Sequence, residues 1–71
     1  MPRELECPIS FDLMREPVIA DDGTTYDRAQ IEAWLRKHNT SPVTGAEMRT
    51  KRLVPNYPMR IQIQQYHAGA R

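Results

Sequence analysis

The stretch Pro17-Val18-Ile19-Ala20-Asp21-Asp22-Gly23-Thr24-Thr25-Tyr26-Asp27-Arg28-Ala29-Gln30-Ile31-Glu32-Ala33-Trp34-Leu35 decides the fold. Its first half is an apolar run, a turn and a β-prone return. Gly23 supplies the positive φ that the return needs, so Pro17–Ala20 and Thr24–Tyr26 read as a hairpin. Asp27 then reads as the N-cap of a helix from about Arg28 to His38, with Gln30 able to complete a capping box and Ile31, Trp34 and Leu35 forming the apolar stripe. Arg36, Lys37 and His38 complement the macrodipole in the last turn, and Asn39 reads as a left-handed stop.

Outward from this unit, Thr40-Ser41-Pro42-Val43-Thr44-Gly45 has no period and is dense in turn formers, so it reads as a loop. Leu53-Val54 offers a short strand. Asn56 caps a second helix with Tyr57 and Pro58 in its first turn, Met59, Ile63 and Tyr66 on one stripe, and an end near Gly69. An irregular segment from Leu5 to Glu16 precedes the hairpin.

At 71 residues and 8.3 kDa, such a domain buries about 60% of its unfolded surface, and one core of this size supplies roughly 3–5 kcal/mol. Disulfides or a metal are the usual remedies. The sequence has one cysteine, Cys7, which forbids an intrachain disulfide, and Cys7, His38 and His67 fit no zinc pattern. A net charge of +1 argues against a nucleic-acid field, so Arg49, Lys51, Arg52 and Arg60 are a weak basic group. No apolar run reaches membrane length and no signal peptide follows Met1-Pro2-Arg3-Glu4, so no membrane partner is expected; a reducing, intracellular and cytoplasmic place fits, with the nucleus compatible.

Taken together, Cys7-Pro8-Ile9-Ser10, Met14-Arg15-Glu16-Pro17-Val18, Gly23-Thr24-Thr25-Tyr26-Asp27-Arg28, Ile31-Glu32-Ala33-Trp34-Leu35, Ser41-Pro42-Val43-Thr44 and Pro55-Asn56 resemble the U-box family in order and spacing. The resemblance covers about Leu5 to Tyr66. It implies an α+β, RING-like fold without metal or cofactor: a β-hairpin and central helix, two long loops, a short third strand and a C-terminal helix. The domain is expected over 5–66, with flexible termini at 1–4 and 67–71, as one module of a longer protein whose other regions bind the substrate.

The implied function is that of an E3 ubiquitin-protein ligase module, a RING-type transferase in protein ubiquitination. It would dock a ubiquitin-charged E2 conjugating enzyme and promote transfer to a substrate lysine without a covalent intermediate on the ligase. No residue of the chain is then catalytic. An interaction or dimerisation module without ligase activity is the alternative.

By resemblance, Ile9, Phe11, Trp34 and Pro42 face the E2. On residues alone, Phe11 either folds inward or is displayed, Trp34 reads as core, Ile9 could be core, and Pro42 could simply stiffen its loop. With no metal to pin the loops, Ser10, Asp12, Glu16, Arg28, Glu32, Ser41, Thr44 and Asn56 are candidate fasteners, and solvated surface is the plainer reading of most. Cys7 lacks a nearby base and reads as a buried structural thiol. Many family members carry a hydrogen-bonding linchpin side chain after the second-loop motif; here that position is Gly45, so the contact is missing unless Arg49, Lys51 or a water supplies it. Ile61, beside Tyr57 and off the stripe, marks either a homodimer or domain contact or a scattered apolar residue.

Overall fold

Ala20, Asp21, Asp22, Gly23 and Thr24 turn the chain back tightly, with the Ala20 N–H on the Thr24 carbonyl (3.0 Å), the Gly23 N–H on the Ala20 carbonyl (3.0 Å) and Gly23 at φ 80°. The computed structural model describes residues 3–69, with side chains through Tyr66. Strand β1 (Pro17–Ile19) pairs antiparallel with β2 (Thr25–Asp27), placing Val18 opposite Tyr26. Helix α1 (Arg28–Leu35) follows directly. A short β3 (Val54–Pro55) adds to the other edge of β1, giving the order β2-β1-β3, and α2 (Tyr57–Gly69) closes the fold. Pro55 sits on an exposed edge strand, where its missing N–H costs no ladder bond. The small α+β architecture and the three-stranded sheet match the expected fold class.

The core gathers Leu5, Cys7, Met14, Val18, Tyr26, Ile31, Leu35, Met48 and Ile63, so both loops, the sheet and both helices contribute to it. Asn56 caps α2: its Oδ1 accepts the Met59 N–H (3.1 Å), while its Nδ2 donates to Thr25 Oγ1 (3.0 Å) and ties the helix start to β2. Of the termini expected to be flexible, Arg3 and Glu4 lie in a 3-10 turn (Arg3–Leu5), and α2 runs to Gly69. Residues 1–2 and 70–71, and the side chains of 67–69, lie outside the described residues.

Three local expectations fail. Helix α1 ends at Leu35 rather than His38, because the Trp34 indole N–H turns back to the Thr40 carbonyl (2.6 Å) and the Lys51 ammonium takes the Leu35 carbonyl (2.6 Å) that a continuing helix would use. Asn39 is not left-handed; Phe11 is the one non-glycine residue with positive φ among the described residues. Asp27 stands at the N-cap position but makes no capping bond. Its Oδ1 instead accepts the Arg15 and Glu16 N–H groups (3.3 and 3.0 Å), and the Glu16 carbonyl accepts the Arg28 N–H (2.9 Å).

That exchange fastens the first loop to the β2–α1 junction. The Cys7 thiol, fully buried, accepts the Asp27 N–H at 3.4 Å, and the Cys7 N–H donates to the Asp12 carbonyl at 2.8 Å. The second loop is fastened at the opposite end of β2. Ser41, 2% exposed, donates its hydroxyl to Asp22 Oδ2 (2.6 Å) and accepts the Val43 and Thr44 N–H groups (both 3.1 Å). Tyr26 donates to the same Asp22 oxygen (2.7 Å), the Thr24 N–H to Asp22 Oδ1 (2.9 Å), and the Arg49 N–H to Asp21 Oδ2 (3.0 Å). No buried side-chain nitrogen or oxygen among the described residues lacks a partner.

Burial works to raise the Asp22 carboxyl, but the Ser41 hydroxyl, the Tyr26 hydroxyl and the Thr24 amide outweigh it and hold the pKa below the ordinary aspartate value. Burial, then acceptance by Asp22, pushes the Tyr26 phenol up to about 12.

Ser41→Ala strands two loop amides and removes a donor from Asp22, so it should cost about 2–3 kcal/mol in urea unfolding, against less than about 1 kcal/mol for Thr44→Ala at an exposed turn. The raised Tyr26 pKa implies stability that is fully present below the unfolded value of about 10 and lost as pH climbs towards about 12. The stability gap between the parent and Tyr26→Phe should therefore shrink across that window, as read from urea midpoints.

Candidate functional site

The first loop is built around a closed turn. The Phe11 N–H donates to the Cys7 carbonyl (2.7 Å), and Ser10 Oγ accepts the Asp12 N–H (3.3 Å). This turn holds Phe11 at its tip, 71% exposed and at φ 62°. A bulky L-residue in the left-handed region is strained by about 1–2 kcal/mol, and an exposed phenyl ring recovers none of it within the chain. Asp12 is exposed, and its carbonyl rather than its carboxylate closes the loop.

Ile9 and Trp34 are half-buried against the core and line one depression over the end of α1. Two backbone N–H groups, of Lys37 and His38, converge on the Trp34 carbonyl (3.1 and 3.0 Å), and the His38 ring stacks on the indole with centroids 4.0 Å apart. The indole bond to Thr40 anchors α1 to the second loop two residues before Pro42. Pro42 is half-buried in the turn that the Gly45 N–H closes on the Ser41 carbonyl (2.9 Å). Ile9 and Trp34 thus share one surface feature, and Trp34 is bonded to the loop that carries Pro42.

Gly45 is exposed at φ 77°, and a Cβ built there would meet nothing within 4 Å. The Lys51 ammonium, considered as a substitute for the missing linchpin, is engaged at the end of α1. Around the first loop, Arg28 bridges Glu16 (3.3 Å) and Glu32 (3.4 Å) across partly exposed surface, where each pair is worth about 0–1 kcal/mol. Thr44 Oγ1 accepts the Ala46 N–H (3.2 Å).

The residues missed as fasteners are Asp21, Asp22 and Asp27. Their signal was three carboxylates bracketing a hairpin arm, a charge density that a solvent-facing turn does not need. Tyr57 and Ile61, on the outer side of α2, are 61% and 54% exposed. No group of three or more His, Cys, Asp or Glu side chains among the described residues is placed to hold a metal, and no described helix is long and apolar enough to cross a membrane.

The family model for the U-box domain matches residues 1–71. The chain is 45% identical over 67 residues to U-box domain-containing protein 35 of Arabidopsis thaliana, covering 94% of this chain and 8% of that protein. It is 48% identical over 67 residues to E3 ubiquitin-protein ligase SPL11 of Oryza sativa subsp. japonica, covering 93% and 10%. U-box domain-containing protein 34 of Arabidopsis thaliana is 44% identical over 70 residues, covering 99% and 9%. The chain thus spans about a tenth of the length of these curated relatives. With loops clasped by aspartates and hydroxyls around one helix, and with a family match over its whole length, the chain belongs to the U-box family.

Proposed function

We propose that this domain is the E2-docking module of an E3 ubiquitin-protein ligase, receiving a ubiquitin-charged E2 on Ile9, Phe11, Trp34 and Pro42. The observation that carries the reading is Phe11, because a strained, exposed aromatic residue is unfavourable for the isolated fold and becomes favourable once a partner covers it. Membership of the U-box family, and a relative named as an E3 ubiquitin-protein ligase, support the ubiquitin assignment. Cys7 is fully buried and out of reach of a thioester, which favours transfer without a ligase-bound intermediate.

In that mechanism the E2 cysteine keeps the covalent chemistry. A substrate lysine amine attacks the thioester carbonyl, the E2 thiolate leaves, and the amine proton is lost. The domain contributes orientation: a docking face held rigid by loops whose amides are already satisfied, and restraint of the E2-linked ubiquitin. Substrate is bound by regions outside this chain, and no nucleic acid, membrane or cofactor takes part. The alternative of an interaction or dimerisation module without ligase activity draws on exposed Tyr57 and Ile61 and on the bare Gly45; failure of every E2 in a reconstituted ubiquitin reaction would favour it.

Phe11→Gly relieves the left-handed strain and removes the anchor, so it should raise unfolding stability by up to about 1 kcal/mol while weakening E2 binding roughly tenfold or more. Binding unchanged by that substitution would remove Phe11 from the interface. Gly45→Arg should speed discharge of E2-linked ubiquitin onto free lysine despite a backbone cost of about 1 kcal/mol at φ 77°. Gly45→Ala, which carries the same backbone cost without a hydrogen-bonding group, controls for that cost.

A further inference from the structure

The end of α1 carries Arg36, Lys37 and His38 in succession, all exposed, beside the depression formed by Ile9 and Trp34. The lining of that depression contains Gln30 and these three basic residues but no carboxylate. The side chains of Arg36 and Lys37 make no ion pair among the described residues; Glu32, the one acid of α1, pairs with Arg28, as does Glu16 of the first loop. The backbone beneath the rim is fixed, since the Arg36 N–H bonds the Glu32 carbonyl (3.2 Å) and the next two amides share that of Trp34. His38 is further held against the indole. The result is an apolar floor whose rim carries the cations Arg36 and Lys37, with no carboxylate in its lining.

We infer that this rim makes the domain selective among E2 enzymes, favouring those that carry carboxylates next to the apolar loop seated on Ile9 and Trp34. The inference rests on the docking reading above and adds the charge of the partner to it. Exposed rim charges contribute little to the fold, but across an interface they accelerate encounter and penalise partners of like charge. An E2 with lysines or arginines at the facing positions would meet the two cations Arg36 and Lys37.

The test measures affinity of a panel of E2s, graded in the charge beside their apolar docking loop, for the parent and for the double variant Arg36→Glu/Lys37→Glu. For acidic-faced E2s, the reversal should weaken binding by about five- to thirtyfold and abolish its decline with salt; E2s with basic faces should bind the variant better than the parent. The neutral pair Arg36→Gln/Lys37→Gln should fall between, and matched thermal unfolding separates lost charge from lost fold. A uniform effect across the panel, or affinity indifferent to both substitutions, overturns the inference while leaving docking intact. If no E2 binds the parent, the docking reading fails and the inference with it.

Discussion

The structure depends on three aspartates that bracket a single strand. Asp21 and Asp22 at one end of β2 hold the second loop, and Asp27 at the other end holds the first. A carboxylate has about four lone-pair sites and can serve several amides and hydroxyls at once, which suits it to organise a loop whose backbone donors have no ladder partner. Asp22 uses most of this capacity, gathering Ser41, Tyr26 and the Thr24 amide. The cost of burying its charge is offset because every bond it accepts favours the ionised form.

The clasp explains how a chain with so little apolar mass presents a rigid surface. Ser41 both donates to the hairpin turn and closes its own loop, so the turn bearing Pro42 is positioned from β2 rather than from its flanking sequence. Lys51 and the Trp34 indole do the same for the end of α1, replacing a conventional helix stop with two bonds from the second loop. Second loop, helix end and hairpin are therefore tied to one another by side-chain bonds. Ile9 and Trp34 line one depression beside that unit.

Local signals were legible in the sequence, and long-range ones were not. Gly23 and Asn56 announced a turn and a cap because the groups they serve lie within three residues. Asp27 occupied the expected cap position yet turned to amides 11 and 12 residues earlier in the chain, a choice that propensity cannot reveal. Ser41 was legible as a candidate fastener, but its partner Asp22, 19 residues away, looked like ordinary turn chemistry. The end of α1 was overestimated for a related reason, since Lys51 acts on it across 16 residues. The displayed side of Phe11 was open on residues alone, because φ at a loop tip is set by closure of the turn around it.

Cys7, the sole thiol, is sealed in the core, and neither loop is held by a thiolate or an imidazole. Carboxylates, hydroxyls and backbone amides do not climb the sulfur oxidation ladder, and the one sulfur in the clasp, Cys7 Sγ on the Asp27 N–H, is fully buried and so shielded from peroxide. The fastening of both loops thus rests on groups that are either redox-inert or sealed from solvent.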